Sequence, residues 1–228
     1  AGVAITSAIC EVLGIKHMRT SKGAVREGVI YDLMGRLSHE DVRERTVSAL
    51  EQRYSVDEAT ASMVELRCRT FYSAAREPWT LKKSDWELLH WAARTHEIGM
   101  AISHKHFNRH TAYLLRNADL PGFSQQEQEE LALLTLGQRG KLYSVMLEDF
   151  PKADRRRLRY LMAIMRLAVR FKYVEVLEQL PEFGIQVDEK ALSLGFPEGW
   201  LQEHPLTLSE LEQEQDILGR LGLELNFN

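Results

Sequence analysis

Between residues 38 and 175 the apolar side chains recur at intervals of three and four, the period of one face of an α-helix. No stretch in that span alternates as a strand would. Segments of this kind bury their stripes by packing helix on helix, so a helical bundle is expected over residues 38–175. Ser38 with Asp41 fits a capping box ahead of VRERTVSALEQRY. Val56 to Arg76 places Ala59, Met63, Leu66 and Thr70 at helical intervals, and Pro78 closes it. A helix is expected from Asp85 to Ile102, then a turn around Ser103 and a helix through His110 and Leu115 that stops at Asn117. Ser124 and Glu127 form a second capping box before a helix to about Gly140. Lys152 to Tyr173 carries Leu158, Leu161, Met162, Met165 and Val169 as one continuous stripe.

The ends differ from the middle. After Pro181 the period falls to two: residues 183–188 and 191–197 alternate as strands, and Leu223 to Phe227 makes a third. Ser209 and Glu212 are expected to cap a helix between them, giving a small β-β-α-β unit over residues 176–228. The fold class is therefore mainly α, with a small α/β domain at the end. At the start, residues 2–14 look helical and stop at Gly14, His17 to Thr20 is short enough for a strand, and Gly23 to Leu37 returns to helix. This fragment has no strand partners of its own. Residues 1–37 are expected to be the end of a sheet domain cut within a larger protein, plus a linker helix.

Charge follows the same division. Residues 1–98 balance at zero, 99–175 carry +5 and 176–228 carry −9, so the overall −4 conceals a basic middle. Such a middle concentrates an anionic ligand, while the acidic end repels one. No apolar run is long enough to span a bilayer. Two cysteines, Cys10 and Cys68, form no framework and are expected to be buried thiols in a reduced, cytoplasmic setting.

The residues that carry chemistry concentrate between His90 and Arg116. His90, His96, His104, His106 and His110 stand there with Glu97, Lys105 and Arg109, on what reads as a helix, a turn and a second helix. One reading is a metal-dependent phosphohydrolase core; another is a remnant of such a core that holds a polyanion. For His96 there is a third, a core histidine satisfied by a backbone carbonyl or by Glu97. His106 and His110 are four apart and would share a helical face, but no third ligand accompanies them. Lys105, Arg109 and His110, with Arg139 and Lys141 beyond the next helix, are the expected anion contacts. Arg155, Arg156, Arg157 and Arg159 read as a solvated face pairing with Glu148, Asp149 and Asp154. The string Gly137-Gln138-Arg139-Gly140-Lys141 is too short for a phosphate loop of the nucleotide-binding kind. No Ser-His-Asp or Cys-His set and no dinucleotide loop is present. Aromatic residues do not interleave with the basic ones, which argues against specific nucleic-acid binding, and Phe107 and Tyr113 are expected to point inwards.

His96-Glu97, in Ala93-Arg94-Thr95-His96-Glu97-Ile98-Gly99, resembles the His-Asp pair of the HD phosphohydrolase superfamily, in which the pair and two flanking residues hold divalent metal. Here Glu replaces Asp, and residues 57–64, DEATASMV, lack the upstream His. Longer phrases resemble a second family. GAVREGVIYDLMGRLSHEDVRERTVSALEQRY at 23–54, HEIGMAISHKHFNRHTAYLLRNADLPGFSQQEQ at 96–128 and LGFPEGWLQEHPLTLSELEQEQ at 194–215 are similar to the C-terminal half of the exopolyphosphatase / guanosine pentaphosphate phosphohydrolase family.

That resemblance implies an HD-like helical domain at 38–175 and, before residue 37, actin-like lobes whose carboxylates and Mg²⁺ hydrolyse terminal phosphates of inorganic polyphosphate or pppGpp. It implies a fragment that is inactive alone, with no catalytic residue, metal or cofactor of its own, that binds polyphosphate and forms a homodimer. The residues it marks are His104, His106, Arg109 and His110; with Lys105, Arg139 and Lys141 from the charge pattern they make up the expected polyphosphate-binding set. Where many members read HRRK this chain has Gln138-Arg139-Gly140-Lys141, an amide in place of the imidazole.

Overall fold

The computed structural model describes residues 2–15, 17, 30, 41–142, 144–178 and 180–228. The strand expected at 17–20, the helix at 23–37 and Ser38 lie outside the described residues, apart from the single positions 17 and 30. Helix α1 (Gly2–Val12) buries none of its residues, and Cys10 on it is only half-buried, a correction to the expectation of two buried thiols. Cys68 is fully buried, with its Sγ 3.8 Å from Met165 Sδ, and burial pushes its thiol pKa up.

Six helices build the bundle: α2 (Val42–Tyr54), α3 (Glu58–Ala75), α4 (Lys83–Thr95), α5 (Phe107–Asn117), α6 (Gln125–Gly137) and α7 (Lys152–Glu178). Asp41 caps α2 by accepting from the Arg43 amide at 2.9 Å. The Ser124–Glu127 box caps α6 as expected. The third helix is shorter than its sequence period: α4 ends at Thr95, and Ile98–Ala101 tightens into a 3₁₀ turn. Gly99 sets that turn against α5, since a Cβ there would lie 2.2 Å from the Phe107 carbonyl oxygen and 2.3 Å from the Thr111 amide. Arg94 on α4 grips α2 through Glu51, with Nε donating at 2.8 Å, and through Glu44. Helix α7 is the bundle's spine and packs on α3, α4 and α6. Its Leu158, Leu161, Met162 and Met165 are fully buried.

The last segment is the expected β-β-α-β unit. Strands β1 (Gly184–Val187) and β2 (Ala191–Gly195) pair antiparallel, and β3 (Glu224–Phe227) pairs parallel to β2 after α8 (Trp200–Glu203) and α9 (Pro205–Gly219). The helix does not begin at Ser209. Pro205 starts it, because a proline at the first helical position has its φ preset and no amide to satisfy.

Hydrogen bonds and stacked rings help fasten the sheet unit to the bundle. Trp79 Nε1 donates to Asp188 O at 2.7 Å and the Tyr160 hydroxyl donates to Glu189 O at 2.9 Å, so two stacked rings hold the β1–β2 turn. Phe171 of α7 stacks on Phe183, which stacks on Phe196, with centroids 5.1 Å apart in each pair. Among the described residues, no helix is long and apolar enough to cross a membrane.

Candidate anion-binding site and the buried histidine beside it

The histidine-rich stretch divides into a buried half and an exposed half. His96, just past the end of α4, is completely buried. Its Nδ1 lies 2.6 Å from the Ala93 carbonyl and donates to it, which leaves Nε2 as an acceptor. Lys172 Nζ stands 3.3 Å from Nε2 and is also hydrogen-bonded to Glu97 Oε1. Glu97 Oε1 is 3.6 Å from His96 Nε2. Burial holds the His96 pKa down to about 4, and the Lys172 charge acts in the same direction. The imidazole is therefore neutral at pH 7.

The ammonium stands against the two atoms a divalent metal would use. A dication beside a buried ammonium is repelled strongly at low dielectric. The residues present do not fit a metal of the HD type. The reading of His96 as a core histidine holding a backbone carbonyl describes its Nδ1. Lys172 was missed, although a signal was available: it follows Val169 by three and Met165 by seven on the apolar stripe of α7. A lysine on a buried stripe calls for a buried acceptor.

Gln138 belongs to this buried half. It is fully buried, and its Nε2 donates to His96 O and to Thr135 O, both at 2.8 Å. The Gln138 amide is thus a tie between α6 and the end of α4, its Nε2 directed at carbonyls. Thr111 completes the junction, receiving the Gly99 amide at 2.9 Å and donating to His96 O.

The exposed half lies where α5 begins. His104, Lys105 and His106 belong to the turn before α5 and not to the helix, so the turn expected around Ser103 extends to His106. His106 occupies the N-cap position with φ 60, the left-handed region, and its carbonyl closes the first turn by accepting from the Arg109 amide at 2.8 Å. His106 and His110 therefore do not share a helical face as an i, i+4 pair.

Arg139 comes to the same place from the end of α6. Asn108 Nδ2 donates to Leu136 O at 2.8 Å and to Arg139 O, and the Arg139 guanidinium lies 5.1 Å from the centre of the Phe107 ring. His104, Lys105, His106, Arg109 and Arg139 are exposed, and His110 is partly buried. Lys141 is exposed beyond the left-handed turn at Gly140. Among the described residues, the side chains of His104, Lys105, His106, Arg109, His110 and Lys141 make no hydrogen bond or ion pair. Their donors are open to an anion. Phe107 is buried as expected, whereas Tyr113 is 62% exposed.

The arginine group at the start of α7 is structural. Arg157 bridges Asp85 at 2.8 Å and Glu130 at 2.6 Å, and Arg155 donates to the carbonyls of Phe150 and Glu148. In place of the solvated face expected to pair with Glu148, Asp149 and Asp154, Arg157 bridges to the buried carboxylates of two other helices.

Residues 42–215 match the family described as Ppx/GppA phosphatase, domain III. The proteins named guanosine-5'-triphosphate,3'-diphosphate pyrophosphatase from Pseudoalteromonas translucida and Aeromonas hydrophila are each 36% identical to this chain, over 100% and 97% of it. One of the same name from Photobacterium profundum is 35% identical over 93%. These matches cover 46%, 45% and 42% of the relatives' own lengths, so the chain spans less than half of the curated relatives it matches.

Proposed function

The chain belongs to the Ppx/GppA phosphatase family, of which it forms a C-terminal portion, and we propose that it holds the phosphate-rich part of a substrate that another part of a longer protein hydrolyses. The observation that carries this is the Lys172 ammonium seated between His96 and Glu97. That ammonium stands at the His96–Glu97 pair, which resembles a metal-dependent phosphohydrolase centre. What remains for an anion is positive charge at the start of α5.

In this reading Lys105 and Arg109 supply the principal charge, with Arg139 and Lys141 across from them and His104, His106 and His110 as added donors. The name borne by the relatives favours guanosine pentaphosphate as substrate. Inorganic polyphosphate is the second reading, supported by the number of unpaired cations between His104 and Lys141, more than one short phosphate group would use. Hydrolysis would be the work of Mg²⁺ and carboxylates outside this chain, in a cytoplasmic homodimer, with the bundle over 38–175 and the sheet unit over 176–228.

The test is turnover by the purified 228-residue chain. Phosphate release from pppGpp and from long-chain polyphosphate is followed with and without Mg²⁺ or Mn²⁺. Binding without release supports the proposal. Metal-dependent release by this chain alone overturns it in favour of a self-sufficient phosphohydrolase.

A further inference from the structure

A second place for a phosphorylated ligand lies away from the α5 cluster, in the elbow between α3 and α4. A groove of about 760 Å³ opens there. One wall is a single face of α3, with Arg69, Tyr72 and Arg76 spaced three and four apart. Lys83 and Trp86 of the first turns of α4 form the other. Three cations and one carboxylate, Glu77, line it; Lys83 is also paired with Glu87 at 3.7 Å, so Arg69 and Arg76 are the cations left to attract an anion.

Its aromatic floor is already organised. The Arg69 guanidinium lies 4.8 Å from the centre of the Trp86 ring, and Trp86 packs on Tyr72 at 5.7 Å. Tyr72 is held by its hydroxyl, which donates to Lys82 O at 3.1 Å. Arg69 and Arg76 make no side-chain hydrogen bond or ion pair among the described residues.

The carbonyls that would repel an anion at the end of α3 are turned inwards by their own partners. Ala75 O accepts from Trp79, Arg76 O from Leu81 and Glu77 O from Thr80. Side chains therefore set the sign of the groove. A planar base can extend the indole–guanidinium stack on the outer plane of Arg69, because guanidinium stacks on π-systems from either side. Arg76 and Lys83 then lie on the rims for the phosphates.

We propose that this elbow binds a nucleotide carrying several phosphates, as a site separate from the α5 cluster. Stacking does not select among purines, so GTP and ATP compete for it. The proposal does not rest on the function inferred above.

GTP is titrated onto the full 228-residue chain by equilibrium dialysis, with tripolyphosphate as the base-free probe. Arg76→Glu is expected to weaken GTP at least tenfold. Trp86→Leu is expected to weaken GTP severalfold more than tripolyphosphate, while Lys105→Ala and Arg109→Ala leave the elbow's affinity unchanged. The idea fails if GTP binding is absent or survives Arg76→Glu unchanged. It also fails if Lys105→Ala and Arg109→Ala abolish it, or if tripolyphosphate or a short RNA binds the elbow as tightly as GTP. Because Arg76 is exposed, its variant keeps the test sound should Trp86→Leu loosen the fold.

Discussion

Arg166 of α7 and Glu214 of α9 form an ion pair with no exposed side-chain surface on either partner. Arg166 Nη2 donates to Glu214 Oε1 at 3.0 Å, and Nη1 donates to the Gly137 carbonyl at 2.8 Å. One guanidinium thus holds the end of α6 and the acidic C-terminal helix together. Arg170 adds a third claim on Glu214, donating to Oε1 at 2.7 Å. Burial lowers the Arg166 pKa, while Glu214 opposes that shift.

Removing one partner of such a pair leaves a buried charge without compensation. Glu214→Gln is expected to cost roughly 3–5 kcal/mol in denaturant unfolding. The double change Arg166→Met with Glu214→Leu should recover most of that loss, because Arg170 still has Glu210 at 3.8 Å. A single variant within about 1 kcal/mol of the parent would mean that the pair is of little consequence.

The His96 pKa makes stability depend on pH. Its folded value, about 4, lies below the ordinary value of 6.5, so the unfolded chain takes up the proton more readily. Stability is fully present above pH 6.5 and is lost as pH falls towards 4, by roughly 3 kcal/mol for this group. The unfolding midpoint should fall over that window in the parent and fall less in His96→Asn. Equal slopes would show that His96 is not buried neutral.

Gly99 tests the junction between the 3₁₀ turn and α5. Gly99→Ala puts a methyl group into backbone of α5, and the cost is expected at about 1–3 kcal/mol or more, the scale of overpacking. Thermal unfolding of the variant measures it. A neutral substitution would mean that the 3₁₀ turn moves freely from α5.

Lys105→Ala and Arg109→Ala should each weaken binding of long-chain polyphosphate or pppGpp by about 1 kcal/mol, the scale of a partly exposed charged contact. Both residues are exposed, so melting should not change. Parental affinity in both variants would place the phosphate elsewhere.

Features governed by neighbours in sequence were legible before the structure. The Ser124–Glu127 box, the stripe of α7 and the alternation of β1 and β2 each depend on residues within one or two turns. Pairs made over long separations were not. Lys172 meets Glu97 seventy-five positions away and Arg166 meets Glu214 forty-eight away; a cation on the buried stripe of α7 shows that an acceptor is needed, but not which one. Gln138 read only as an amide in place of an imidazole, because the fold alone shows that its amide points at the His96 carbonyl. Tyr113 read as a core residue because a ring on an amphipathic helix usually is one.

The most direct measurement is the titration of long-chain polyphosphate and of pppGpp onto this chain in EDTA, repeated as salt is raised. Binding that is unchanged by the chelator, weakens steadily with salt and releases no phosphate is the predicted result. Binding that vanishes in EDTA and returns with a transition metal would contradict it, and would put a metal ion where Lys172 now sits.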